Sequence, residues 1–172
     1  MGFTALDGVP MGTRCGGLDP GVVLHLIQQK GMSAEKGMSA EELVDLLYRH
    51  SGMLGLSGLS ADFRDLLASE DPRARFAIDV FCYRVARHIG SLAPALGGID
   101  GIVFTAGVGE NAAPVRSAIC RACGWLGLAL DEAANLRHQT RIGAPGSHVA
   151  AYVIKTDENL MIARHASALV SS

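Results

Sequence analysis

Residues 101–111, with the sequence GIVFTAGVGEN, decide the fold class of this chain. Residues 101–105 form a short, mainly apolar run that begins with glycine, a pattern typical of a short strand that is buried on both faces. A second apolar run, residues 149–154, predicts another such strand, which leads into Thr156, Asp157 and Glu158. Because helical segments alternate with these strands, we predict an α/β fold. Few strands are recognisable, so we expect an incomplete sheet with several packed helices.

The composition of the chain restricts its class further. It has 172 residues, of which 49% are hydrophobic and 19% are charged. This is sufficient for the core of one domain or one lobe, and it excludes an intrinsically disordered chain. The net charge of −2 provides no bulk attraction to nucleic acid or to an anionic membrane, so we expect neither as a partner. Polar residues interrupt every apolar run before it reaches the length of a bilayer span.

Capping residues indicate where several helices begin. Asp19 with Pro20, and Asp71 with Pro72, each combine an N-cap residue with a proline at the first helical position. The second of these helices is predicted to be the longest and to run to about Leu92. Its apolar face has helical spacing and comprises Ala74, Ile78, Phe81, Val85, Ile89 and Leu92.

A short tandem repeat, GMSAEK followed by GMSAEE, precedes another helix. Only the second copy has a complete capping box, Ser39 with Glu42, so we expect the helix to begin there. The first copy, residues 31–36, is interpreted as a looped-out insertion without a functional role. Residues 62–65, DFRD, open a further short helix.

The cysteines are expected to be free thiols. Nothing at the N-terminus resembles a secretory signal, which favours a cytoplasmic protein. Cys120 and Cys123 form a CxxC pair, but no second pair or nearby histidine completes a zinc site. We therefore interpret them as a pair on one face of a helix.

The glycine-containing segment after the first strand is the strongest candidate site. Gly107 and Gly109 would let backbone N–H groups approach a ligand, and the following helix would favour an anion at its start. The segment lacks the lysine of a Walker A loop, and Ala112 breaks the GxGxxG pattern. Two interpretations are open at this point, a nucleotide-binding loop and an ordinary tight turn between a strand and a helix.

Three charged residues are further candidates, each with a structural alternative. Arg14 lies in a glycine-rich loop, where its guanidinium could bond two oxygens of a phosphate or carboxylate. It could equally form a salt bridge or bind backbone carbonyl groups. Asp157 and Glu158 lie where a strand ends and a helix begins, so they could cap that helix. They could also hold Mg²⁺ through water beside a nucleotide.

Several of these segments, in the same order along the chain, closely resemble the acetate kinase family. They are MGFTALDG at residues 1–8, MGTRCG at 11–16, DFRD at 62–65, FTAGVGEN at 104–111 and TDE at 156–158. The resemblance implies a ribonuclease H-like ATPase lobe of the superfamily that contains acetate and sugar kinases, heat-shock chaperones and actin. It also implies reversible transfer of the γ-phosphate of ATP to acetate with Mg²⁺, giving acetyl phosphate and ADP, by a homodimer.

The resemblance also implies roles for individual residues. Arg14 would be the catalytic arginine, which stabilises the transferring phosphoryl group and orients the carboxylate. Glu158 would be the magnesium-associated glutamate. The residues that would contact the nucleotide are Asp62, Phe63 and Arg64 in the adenosine pocket and Gly107, Val108, Gly109, Glu110 and Asn111 on the adenine and ribose side.

The sequence departs from the family pattern at a few positions. Gly17 occupies a position where the family usually has aspartate, and Ala106 one where it usually has glycine. Asp157, Glu158 and Asn159 stand where Asn-Glu-Glu is usual. These differences concern the arginine loop and the residues around the metal.

Members of this family are considerably longer than this chain. The resemblance therefore implies that residues 1–172 form the C-terminal nucleotide-binding lobe, without the N-terminal lobe and without the first strands of this lobe. Three interpretations are open: an acetate kinase polypeptide that is truncated or is half of a split gene with a separately encoded N-terminal lobe, a non-catalytic nucleotide-binding or dimerising remnant, and a propionate or butyrate kinase. We expect the isolated chain not to turn over, because the second wall of the cleft is absent.

Overall fold

The computed structural model of the protein describes residues 2–28 and 37–170. The chain divides into two compact units, Met1–Gly97 and Gly98–Ser172, and each is considered by itself. The first copy of the tandem repeat, residues 31–36, lies outside the described residues. Among the helices of the described residues, none has both the length and the apolar character needed to cross a membrane.

The first unit is helical in its described part. Its helices are α1 (Pro20–Gln28), α2 (Ala40–Arg49), α3 (Gly52–Ser57), α4 (Phe63–Ala68) and α5 (Pro72–Ala95). The predicted capping box is confirmed, because the Ser39 hydroxyl accepts from the N–H of Glu42 at 3.2 Å and the Glu42 carboxylate accepts from the N–H of Ser39 at 2.9 Å. Asp62 and Asp71 cap α4 and α5 with their side chains.

Helices α3 and α4 pack on α5 to form the core of this unit. Met53, Ala74 and Ala77 are completely buried there. The predicted apolar face of α5 is correct for its first half and wrong for its end. Leu92 is 59% exposed, and the helix continues beyond it to Ala95.

The second unit contains a small sheet and four α-helices within its described residues. Its elements are β1 (Gly101–Phe104), α6 (Ala106–Asn111), α7 (Ala113–Ala122), a 3₁₀ helix (Gly124–Leu126), α8 (Glu132–Leu136), β2 (Ala150–Val153) and α9 (Glu158–Val170). The two strands are parallel, with Gly101 opposite Ala150 and Phe104 opposite Val153. Residues 140–143 run along the other side of β2, where the N–H of Val153 donates to the carbonyl of Thr140 at 2.8 Å.

These elements confirm the predicted α/β class and its small sheet. Within the described residues, β1 pairs as a strand with β2 alone. Two local predictions are corrected. The segment expected to be a glycine loop after β1 is itself a short helix, α6. Cys120 lies on α7, whereas Cys123 lies just beyond it and caps its C-terminus.

The four cysteines are free, as expected. Cys82, Cys120 and Cys123 are buried, and burial raises the pKa of the Cys120 thiol to about 12. A buried thiol that stays protonated at neutral pH is a poor nucleophile. The CxxC pair therefore has a packing role in this unit.

Candidate active site

The ends of β1 and β2 lie side by side in the second unit, because parallel strands in register finish at the same edge of a sheet. Thr105 follows β1 directly, and Thr156 follows β2. Their hydroxyl groups are hydrogen-bonded to each other. The Thr156 hydroxyl also accepts from the N–H of Ala106 at 3.1 Å. Two threonines thus join the segments that leave the two strands.

Glu110 strengthens this junction from α6. Its carboxylate accepts from the N–H of Thr156 at 2.9 Å and from the Thr156 hydroxyl at 3.3 Å. These bonds hold the pKa of Glu110 below its ordinary value of 4.5, and the bond from the backbone N–H of Thr156 has the largest effect. Glu110 is therefore a carboxylate at neutral pH, and it fastens α6 to the segment that carries Asp157 and Glu158.

The two glycines of α6 have different surroundings. A Cβ atom at Gly107 would meet nothing within 4 Å, so the backbone there borders open space. A Cβ atom at Gly109 would lie 3.1 Å from the carbonyl carbon of Phe104, so glycine lets α6 pack closely on the end of β1. Gly107 is therefore accessible to a ligand, whereas Gly109 has a structural role.

Ala106 and Asn111 define the two ends of α6. Ala106 has a φ of 57°, in the left-handed region that alanine adopts only at a cost. Asn111 donates from its amide to the carbonyl of Gly107 at 2.9 Å, so its side chain folds back on its own helix. Its amide thus stabilises the helix that presents Gly107.

An open pocket of about 380 Å³ lies at this edge of the sheet. It is lined by Ala106, Gly107, Glu110, Thr156, Asp157 and Asn159. Asp157 accepts from the N–H of Leu160 at 2.8 Å, so it does cap α9, as one of the two interpretations predicted. Glu158 is the first residue of α9, and its side chain lies outside what the structure describes.

Arg14 lies in the first unit, in a loop whose backbone is well held. The N–H of Met53 donates to the carbonyl of Met11 at 2.8 Å, and the N–H of Ser51 donates to that of Thr13 at 3.0 Å. Gly52 makes this contact possible. It has a φ of 61°, and a Cβ atom there would lie 2.1 Å from the carbonyl oxygen of Met11. The start of α3 therefore fixes the loop around Arg14.

The Arg14 side chain is exposed, and its Nη1 contacts the sulfur of Met11 at 3.7 Å. Within residues 2–28 and 37–170, it forms no ion pair with a carboxylate and binds no backbone carbonyl. Neither of the two structural alternatives for Arg14, a salt bridge or a bond to a backbone carbonyl, is therefore present among these residues. A backbone carbonyl is instead bound by Arg84, which donates to the carbonyl of Gly17 at 2.8 Å.

Residues 62–64 have local structural contacts in the first unit. Asp62 accepts from the guanidinium of Arg64 and from its backbone N–H, the latter at 2.8 Å. These two bonds, the guanidinium bond more strongly, lower the pKa of Asp62 to about 2. Phe63 packs edge-to-face against Phe81 of α5, with ring centroids 4.7 Å apart. The Arg64 side chain is exposed beyond its contact with Asp62.

The predicted site residues are distributed over the two units. Arg14 and residues 62–64 lie in the first, whereas Gly107, Val108, Gly109, Glu110 and Asn111 share α6 in the second. The second unit brings α6 beside Thr156 and Asp157.

Sequence reasoning missed Thr105, Thr156 and Arg116. The first two had a signal, since Thr105 ends one predicted strand and Thr156 follows the other. Arg116 is completely buried, and a charged residue type gives no sequence signal of that burial.

Together these features define an α/β protein with an oxygen-rich pocket at the carboxyl ends of two parallel strands. Comparison with known proteins shows the family of the chain. A model of the Acetokinase family matches residues 1–164. Acetate kinase from Rhodopseudomonas palustris (strain TIE-1) is 58% identical over 167 residues, which is 96% of this chain and 40% of that protein. Acetate kinase from Nitrobacter hamburgensis is 53% identical over 170 residues, 99% of this chain and 41% of the relative.

Solved structures agree with the sequence comparison. The acetate kinase of Porphyromonas gingivalis matches 99% of this chain and 43% of its own, with a TM-score of 0.88 and 35% identity. A propionate kinase from Francisella tularensis matches 94% of this chain and 41% of its own, with a TM-score of 0.85 and 37% identity. The chain belongs to the acetokinase family. It spans about 40% of the length of the curated relatives that it matches.

Proposed function

We propose that this chain forms the C-terminal nucleotide-binding lobe of an acetate kinase. The reaction is the reversible transfer of the γ-phosphoryl group of ATP to acetate, which gives acetyl phosphate and ADP. Family membership supports this proposal. The observation that carries it is the junction of Glu110 with Thr156, which borders the pocket beside Gly107.

The nucleotide is proposed to bind along α6. Gly107 supports this placement, because its backbone borders open space that a phosphate or ribose could enter. Gly109 and Asn111 act indirectly, by packing α6 on β1 and by stabilising the helix. Asp62, Phe63 and Arg64 are assigned to the adenosine pocket by resemblance to the family. The contacts of Asp62 with Arg64 and of Phe63 with Phe81 give this segment a defined shape.

The residues after β2 have the chemistry that Mg²⁺ prefers. The Thr105 and Thr156 hydroxyls and the Asp157 carboxylate are hard oxygen donors, and Glu158 is the family's candidate for the metal. Among the described residues, no group of three or more His, Cys, Asp and Glu side chains converges. That fits Mg²⁺, which keeps several waters and uses one or two carboxylates together with substrate phosphates. When bound, the ion would neutralise charge that develops on the phosphoryl group.

Arg14 is proposed to bind the transferring phosphoryl group and the acceptor carboxylate. Its side chain is exposed and carries no ion pair within the described residues, so its guanidinium is available to an anion. The bonds from α3 hold its backbone in place, which reduces the entropy lost when the group is positioned. Acetate is an anionic nucleophile at neutral pH, so the chain needs to supply orientation and charge neutralisation rather than a base.

The whole protein is proposed to be a cytoplasmic homodimer, as the family resemblance implies. A propionate kinase also shares the fold, with a TM-score of 0.85. Propionate is therefore the second candidate acceptor. Measurement of kcat/KM for acetate and for propionate distinguishes the two. A higher value for propionate would make propionate the proposed acceptor.

Two measurements test the proposal. Calorimetric titration of the 172-residue chain with MgADP measures nucleotide binding, and trapping of acetyl phosphate with hydroxylamine measures turnover. Turnover is measured on the chain alone and after mixing with the portion of the Rhodopseudomonas palustris acetate kinase that the chain does not match. We expect MgADP binding by the chain and acetyl phosphate formation on mixing. MgADP binding without turnover, by the chain alone and after mixing, would favour a non-catalytic nucleotide-binding protein. Absence of binding would overturn the proposal.

A further inference from the structure

Arg116 is a completely buried cation in α7 of the second unit. Its partners are neutral: Nε donates to the side-chain oxygen of Asn135 at 2.7 Å, and Nη2 donates to the Asn135 carbonyl at 2.8 Å. Within the described part of the chain, no carboxylate forms an ion pair with it. A buried charge is costly unless hydrogen bonds replace its lost hydration. The five contacts of Arg116 replace this hydration, so their partners show what the buried guanidinium stabilises.

The other end of the guanidinium points to the last turn of α6. Nη1 donates to the carbonyl of Gly109 and to the carbonyl of Glu110, both at 2.9 Å. Carbonyl groups in the last turn of a helix have no partner within that helix. Arg116 thus supplies donors to the carbonyls of the helix that presents Gly107 and Glu110.

Asn135 and His138 complete the cluster. Asn135 is completely buried, and its amide donates to the carbonyl of Ala113 at the start of α7. The Nδ1 atom of His138 lies 3.0 Å from the carbonyl of Glu110 and 3.3 Å from Nη2 of Arg116. The cluster therefore joins α6, α7 and α8 through one guanidinium.

We infer that Arg116 is a positioning residue for the pocket beside α6. It holds the backbone of Glu110 from inside the unit, while the Glu110 side chain holds Thr156 from the other side. A continuous series of hydrogen bonds thus runs from Asn135 through Arg116 and Glu110 to Thr156. This series fixes α6, which is proposed to bind the nucleotide, relative to the residues after β2, which are proposed to hold the metal. The inference therefore rests on the proposed function.

Amide hydrogen exchange of the ligand-free chain tests the positioning role directly. Arg116→Met keeps an unbranched apolar stem and removes the donors of the guanidinium. We expect exchange to become about tenfold faster or more at the amides of α6 and at Thr156. Exchange in α2 and α5 of the first unit should not change. Arg121→Met is the matched control, because Arg121 lies on the same helix and is exposed. Unchanged protection of α6 and Thr156 in a folded Arg116→Met chain would overturn the inference.

The second readout is the affinity for MgADP. Loss of a group that orients the residues binding a ligand typically weakens binding about 10- to 100-fold, and we expect that range for Arg116→Met. Wild-type affinity in Arg116→Met would contradict the inference. If the wild-type chain itself fails to bind MgADP, the proposed function is overturned, while the exchange result still bears on Arg116.

A third variant covers the case in which Arg116→Met does not fold. Arg116→Lys keeps a cation in the buried position and removes the guanidinium fork that binds the Gly109 and Glu110 carbonyls together. We expect faster exchange in α6 and at Thr156, to a smaller extent than in Arg116→Met. Exchange identical to the wild-type chain at all of these amides would overturn the inference in that case.

Discussion

The N–H of Thr156 donates to the carboxylate of Glu110 at 2.9 Å, and this bond connects the residues that follow β2 with the helix that follows β1. The two residues are far apart in sequence and adjacent in space, because the two parallel strands end at the same edge. The bond lowers the pKa of the Glu110 carboxyl below its ordinary value. It also makes the position of Asp157 dependent on α6.

The first prediction concerns the pH dependence of this bond. The pKa of Glu110 is lower in the folded chain than its ordinary value of 4.5. The bond therefore contributes its full stability above the unfolded pKa, and the contribution is lost as the pH falls through the lower, folded pKa. We expect the amide proton resonance of Thr156 to shift with a midpoint below pH 4.5. Glu110→Gln is the control and should abolish this transition, whereas a wild-type midpoint at or above 4.5 would contradict the prediction.

The second prediction concerns Arg14. In the assembly that forms acetyl phosphate, Arg14→Ala should lower kcat about 10³-fold or more, the range that an arginine stabilising a phosphoryl transition state can supply. Affinity for MgADP should be nearly unchanged, since the residue is proposed to act on the transferred group. Arg49→Ala is the control. Arg49 is also an exposed arginine of the first unit, and its partner is Asp45 of α2. Near-normal turnover by Arg14→Ala would remove Arg14 from the proposed mechanism.

Features that depend on local chemistry could be predicted from the sequence. The Ser39 and Glu42 capping box, the starts of α4 and α5 and the two strands all follow from neighbouring residues, and the structure contains them. The segment after β1 was recognised as a candidate site because of Gly107 and Gly109.

Features that depend on contacts distant in sequence could not be predicted. The burial of Arg116 depends on Asn135, which lies on another helix. The bond of Glu110 with Thr156 exists only once both strands are paired. The exposure of Leu92 was missed for a related reason, because helical periodicity indicates an apolar face and not what covers it.

The third prediction concerns Gly17, where the family usually has aspartate. The φ of Gly17 lies outside the left-handed region, and a Cβ atom there would lie 3.1 Å from Nη2 of Arg84. The flexible end of the Arg84 side chain has to shift by a few tenths of an ångström to admit this atom, and Gly17→Asp then places a carboxylate beside the guanidinium. We expect the free energy of unfolding to rise by about 0.5–1.5 kcal/mol, from an exposed ion pair and a less flexible unfolded chain. Urea denaturation at low salt measures the change.

Gly17→Ala separates the two contributions to that result. It keeps the effect on the unfolded chain and removes the charge, so it should stabilise by about 0.4–1 kcal/mol. In an Arg84→Met background, Gly17→Asp should give no more than Gly17→Ala. An equal effect of Gly17→Asp with and without Arg84 would show that no ion pair forms.

The fourth prediction concerns Ala106, whose φ of 57° lies in a region that glycine adopts freely. A left-handed conformation costs a non-glycine residue roughly 1–2 kcal/mol, whereas glycine adds about 0.5–1 kcal/mol of entropy to the unfolded chain. Ala106→Gly should therefore raise the free energy of unfolding by about 0.5–1 kcal/mol, as measured by urea denaturation. Ala118→Gly, in the interior of α7, is the matched control and should lower it by about 1 kcal/mol. If both substitutions destabilise the chain equally, Ala106 carries no strain, and the departure from the family's usual glycine has no energetic consequence at this position.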